Sequence, residues 1–334
     1  MRNVIIFLFL QMATVGPGTA QVTSGSPWSE ALTFGVLDGH RALTFGEITD
    51  LAVDAAGRIY VLDHHAREVR VFSPDGEPRQ IVGRRGGGPG EFQEPSSVTV
   101  TADGLLIVTD RAHRRLTLYE ISDSLVYHSD SRVDLSAREA CRLGNDIFFL
   151  GFLNDALIHQ FAVSRDAVRH VRSFGSPFSE EPMQRRYGEH IGCIEGAGLV
   201  VIATGNLPQV HAYSVATGNL AWKTELVNYS GIAITRLPEG GLMYGYPEGQ
   251  AWFHWITGVF ATDGGTIGVQ VGTVYQADDS NEAREFSIRL LSPSGNEIGT
   301  QPAPFQIHWT SEDRRYGKRA LLFPQVVVAR RGPR

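Results

Sequence analysis

Two short stretches of the sequence concentrate side chains able to do chemistry. His64, His65 and Arg67 follow one apolar run; Arg111, His113 and Arg114 follow another. Imidazoles exchange protons or ligate metals near neutral pH, and arginines grip carboxylates or phosphates through a planar fork. Adjacent histidines on extended backbone point apart, and no His-x-His or Glu-x-x-His spacing accompanies them. A metal set is therefore not written in these stretches. Their readings are a ligand-binding group and, as the plain alternative, solvated turns.

Other chemical signatures are weaker. The run Gly86 to Gly90 invites comparison with a phosphate loop, but Pro89 removes an amide and no lysine follows. Such loops need amides at a helix terminus and a Gly-Lys-Ser/Thr ending, so this run reads as a linker. No Gly-x-Ser-x-Gly elbow marks a nucleophile. Asn228-Tyr229-Ser230 is a glycosylation sequon, which matters only in a eukaryotic secretory pathway.

A repeat supplies the elements that must position these groups. Leu51 to Asp63 aligns with Val98 to Asp110: Gly57 matches Gly104 and Asp63 matches Asp110, each 47 residues on. Val69-Arg70-Val71-Phe72 then matches Leu116-Thr117-Leu118-Tyr119. Each unit reads as strand, Asp/Gly turn, strand, polar loop, strand and turn, hence four short antiparallel strands. A period near 45 suits propeller blades, and radial stacking buries both faces of every blade.

Ile59 to Asp63, Val69 to Gly76 and Gly86 to Phe92 together resemble the NHL repeat. The resemblance implies a six-bladed β-propeller. NHL repeats place an arginine five residues after the strand-ending aspartate; Arg115 fits after Asp110, whereas Glu68 fills that slot after Asp63. The motif match covers residues 45–120 and is pattern-level beyond. Fainter units follow, giving blades that begin near 48, 97, 137, 190, 254 and 305. An additional hairpin over 231–246 would raise the number to seven if it were a blade. The stray strand Ala31 to Val36 fits as the outer strand of the last blade, joining the two chain ends.

Cys141 and Cys193 occupy equivalent slots on the first strands of consecutive blades, six residues before Ile147 and Leu199. In an exported protein two cysteines commonly pair. Buried free thiols are the other reading, because a bridge needs Cα atoms within ~7 Å.

Residues 1–20 read as a signal peptide: Arg2, an apolar run from Val4, and small residues ending at Ala20. That run is too short for a helix across ~30 Å of hydrocarbon. A secreted or periplasmic single domain over 21–334 is expected. Without the signal the chain holds 29 basic and 36 acidic residues, a mild net −7 that argues against nucleic acid as a partner. The expected function is a monomeric scaffold. It would bind a small molecule, glycan or extracytoplasmic protein through His64, His65, Arg67, Arg111, His113 and Arg114 near the channel. The alternative is a hydrolase or lyase using a divalent cation in the channel, as some six-bladed relatives do; the inner strands are expected to offer few ligands for it, since Asp54 of the first unit aligns with Thr101 of the second. No cofactor is otherwise evident.

Overall fold

A computed structural model describes residues 27–178, 189–205, 207–239, 241–262, 265–276, 283–320 and 323–332. The signal-peptide reading lies outside them. Six four-stranded antiparallel sheets follow one another along the chain. Their innermost strands are Ile48–Val53, Pro95–Val100, Glu139–Leu143, His190–Ile194, Trp252–Ala261 and Gln306–Thr310. The hairpin is a separate two-stranded sheet, Ala233–Arg236 with Leu242–Gly245, inserted between blades four and five. It is not a blade, and the number is six.

Six layers of side chains, one between each pair of neighbouring blades, replace a single core. Ile59, Val61 and Phe72 of blade one pack against Tyr316 and Val328 of blade six. Tyr60, Leu62 and Val71 leave the other face of the same sheet to meet Leu106 and Val108 of blade two. Both faces of each sheet are therefore apolar, as alternation on a strand requires when neither face meets water.

The ring closes as expected, with Trp28–Phe34 lying antiparallel on Pro324–Arg331 as the outer strand of blade six. This strand begins three residues before the expected Ala31 and stops at Gly35, whose φ is +128°.

In blades one and two a strand-ending aspartate staples the preceding linker to the blade. Asp63 accepts hydrogen bonds from the amides of Gly46, Glu47 and Ala66 and pairs with Arg70 at 2.8 Å. Asp110 accepts from the amides of Gln93, Glu94 and His113. Where blade two has Arg115 paired with Asp130, blade one has buried Glu68 paired with Arg41. Arg70, two residues on, pairs with Asp63. The glycine-rich linker presses Phe92, fully buried, between blades one and two.

Cys141 and Cys193 form a disulfide with Cα atoms 5.5 Å apart. It ties the inner strands of blades three and four.

One buried histidine carries a stability prediction. His211, 7% exposed, stacks on Phe178 with ring centres 4.3 Å apart, and neither ring nitrogen makes a hydrogen bond among the described residues. Burial, helped by Lys223 on the paired strand, lowers its pKa to about 4. The unfolded chain takes up this proton near the ordinary imidazole value of about 6.5, so it binds more protons than the fold below that value. Stability is thus complete above about pH 6.5 and falls as the pH falls towards about 4. The loss from about pH 7 to about pH 5 is at most about 2 kcal/mol. His211→Phe keeps the stack and should abolish that share of the acid loss in urea unfolding measured at both pH values. An unchanged difference would show that His211 is not its source.

Candidate functional site

Inner strands decide what the axis presents. In blades one, two, five and six the pairing of the inner strand skips one residue: Thr49, Ser96, Thr257 and His308. Such bulges leave the extra residue unpaired and re-aim its side chain. All four are polar, and all four line the channel or the spaces at its mouth. Thr49 Oγ1 and His308 Nε2 are buried and make no hydrogen bond among the described residues.

The channel has three parts. A mouth of about 410 Å³ is bordered by Glu47, Glu94, Arg111, Glu139, Glu189 and His190, among others. A waist of about 50 Å³ lies between Asp50, Glu139 and His308. The opposite opening, about 460 Å³, carries both cysteines.

Ion pairs organise the axis. His190 Nδ1 stands 2.8 Å from Glu139, whose other oxygen accepts the Ile191 amide at 3.1 Å. Burial opposes charge on His190, but the carboxylates of Glu139 and Glu189 outweigh it and hold its pKa above the ordinary imidazole value. Burial raises the Asp50 carboxyl, although His308 at 3.5 Å and the Val98 amide at 2.9 Å favour its charged form. Carboxylate–imidazole pairs of this kind can pass or hold protons. Among the described residues no group of three or more His, Cys, Asp or Glu side chains is placed to hold a metal ion.

A second space opens beside the mouth. About 750 Å³ in volume, it is walled by Phe253, Phe286 and Val274 of blade five and by Tyr244 and Tyr246 at the inserted hairpin. His190 and Trp255 border both this cavity and the mouth. A side chain at position 205 would overlap both the Trp255 ring and the Glu189 carboxylate, so glycine there lets them lie against the loop. Glu189 accepts the Gly205 amide at 2.8 Å, and Tyr229 donates to the Gly205 carbonyl.

The six residues singled out in the sequence divide into two sets. His64 and Arg111, equivalent positions of the repeat, both border the mouth. His64 Nδ1 lies 2.9 Å from the Pro95 carbonyl oxygen, and Arg111 pairs with Glu94. The other four sit in the turns without bordering the mouth. His65 is exposed and lies against Gly46. Arg67, at φ +60°, donates to the carbonyls of Gln93 and His65. His113 contacts Asp110 at 3.0 Å, and Arg114 is exposed at φ +49°.

One expectation needs correction. The inner strands offer more ionisable groups than the alignment of Asp54 with Thr101 suggests. Asp54 instead caps its own turn, accepting from the Ala56 and Arg58 amides and from Tyr60. The axial groups are Asp50, Glu139, His190 and His308. A bulge that sequence alternation does not mark brings His308 there, and another lies immediately before Asp50. Glu47/Glu94 and Thr49/Ser96 recur at the 47-residue repeat interval, a signal that could have exposed the mouth.

A family of domains described as a 6-bladed beta-propeller, DUF5128, matches residues 30–162. No curated protein is matched by the sequence. Among solved structures, a DUF4221-family member from Bacteroides vulgatus aligns with a TM-score of 0.59 at 10% identity, over 91% of this chain and 97% of its own. A streptogramin B lyase aligns with a TM-score of 0.51 at 12% identity, over 90% and 97%. A Bacteroides fragilis protein described as exported aligns at 0.50 and 11% identity, over 94% and 98%. At these identities the likeness establishes the propeller fold alone.

Proposed function

We propose that this chain is an extracytoplasmic binding protein that takes a small organic molecule into the aromatic cavity beside the channel mouth. The cavity carries the reading. Its volume of about 750 Å³ falls within the ~300–1,000 Å³ typical of ligand sites, and its mix of aromatic walls with a few polar groups is typical too. The inserted hairpin supplies one wall. That hairpin departs from a fold otherwise made of four-stranded blades, and loops on rigid scaffolds are where function concentrates. His64 and Arg111 belong to the polar rim of the same site. The disulfide and the exported structural relative support a compartment outside the cytoplasm.

Nile red, a neutral apolar dye, tests this reading. The full chain should bind it saturably, one dye per protein, with Trp255 emission quenched. Replacing residues 233–245 by a short Gly/Ser linker removes one wall. Thermal stability should change little, because an isolated two-stranded sheet adds little. Dye affinity should fall at least about tenfold, the equivalent of about 1.4 kcal/mol of lost contact. Binding that survives the replacement, or that never saturates, would overturn the proposal.

A further inference from the structure

The mouth and the cavity differ in charge, and the difference narrows the ligand. At the mouth the carboxyl groups of Glu47, Asp50, Glu94, Glu139 and Glu189 outnumber the cationic side chains, even when His190 is counted with Arg111 and Arg138. Glu47 is exposed and makes no ion pair among the described residues. Trp255 stands where this acidic mouth meets the apolar cavity. An indole face attracts cations through its quadrupole, and a cation there would also have carboxylates within reach.

We infer that the ligand is an amphipathic organic cation. An ammonium or amidinium group would sit at the mouth beside Trp255, with the apolar body in the cavity against Phe253 and Phe286. This assignment rests on the cavity reading above. The natural rival is an anionic ligand, because Arg284, Lys318 and Arg319 also border the cavity. Two of these are engaged locally: Lys318 donates to the Ile48 carbonyl at 2.8 Å, and Arg319 pairs with Glu30 at 2.6 Å. Among the described residues no carboxylate borders the cavity whereas five border the mouth, so a cationic head group belongs on the mouth side of Trp255.

The experiment compares phenylbutylammonium, phenylbutanoate and phenylbutanol, which share one body and differ in the head group. Each is titrated into the full chain at neutral pH and followed by calorimetry and tryptophan fluorescence. The ammonium compound should bind roughly tenfold more tightly than the carboxylate, and half-molar salt should shrink that gap. Glu47→Gln combined with Glu94→Gln should also shrink it. Arg111→Gln should widen it, since it removes a repelling charge from the mouth. Equal binding by all three, or tighter binding of the carboxylate, overturns the cation assignment and leaves the cavity reading standing. No binding by any of the three overturns both.

Discussion

A chain shortened to begin at His40 should lose its single cooperative unfolding transition and aggregate. The segment removed contains the strand Trp28–Phe34, which completes blade six from the opposite end of the chain. Its loss strips two layers at once. Trp28 is buried beneath the guanidinium groups of Arg315 and Arg331, 4.1 and 5.4 Å from its ring centre. Phe34 packs on Phe72 at 4.5 Å and lies 6.4 Å from Phe45, in the layer joining blade six to blade one. Burying an aromatic side chain contributes about 1.5–3 kcal/mol, so these two alone supply several kcal/mol. A typical domain has only about 5–15 kcal/mol in all. The strand Pro324–Arg331 would also be left with an open edge, ready to pair with another chain. Calorimetry of the shortened and full chains checks this. An equally sharp transition at the same temperature would show that the ring does not depend on this strand.

Removal of the disulfide is the second large effect. Replacing Cys141 and Cys193 by serine should lower the unfolding free energy by up to about 4 kcal/mol. The chain-entropy model gives this for a closed loop of 52 residues. The bridge joins blades three and four near the axis, where the inner strands approach closely. Its cysteines also pack against the layer of Phe148, Leu150 and Val200. Serine places a hydroxyl where sulfur met apolar neighbours, so alanine variants separate packing from cross-linking. Guanidinium unfolding with and without reductant measures the effect. The wild-type chain should shift to lower denaturant on reduction, and the serine and alanine variants should not. A wild-type curve indifferent to reductant would mean that the cross-link adds nothing to stability.

Blade architecture was legible because it is written locally. Gly57 and Gly104 take positive φ in the same turn, Asp63 and Asp110 end the same strand, and strand and turn signals recur 47 residues apart. Each requirement falls on neighbouring residues, so a short stretch of chain displays it. The closing strand could be read for a related reason. Six blades of four strands leave one strand short at the end and one spare at the beginning.

The site obeys a different logic. Asp50, Glu139, His190 and His308 come from four blades and meet only because the ring brings every inner strand to the axis. Bulges at Thr49, Ser96, Thr257 and His308 then turn side chains that simple alternation would assign elsewhere. The cavity depends on the fold of the hairpin 233–245 against blade five, a packing that no local pattern encodes. Sequence by itself determined the blades, the joining of the ends and the equivalent slots of the two cysteines, and left the number at six or seven until the hairpin proved to be a separate sheet. Tertiary structure decided the disulfide, the acidic mouth and the aromatic cavity. Strand and turn preferences act between residues close in the chain, whereas a site on the axis is a sum over blades that only closure of the ring brings together.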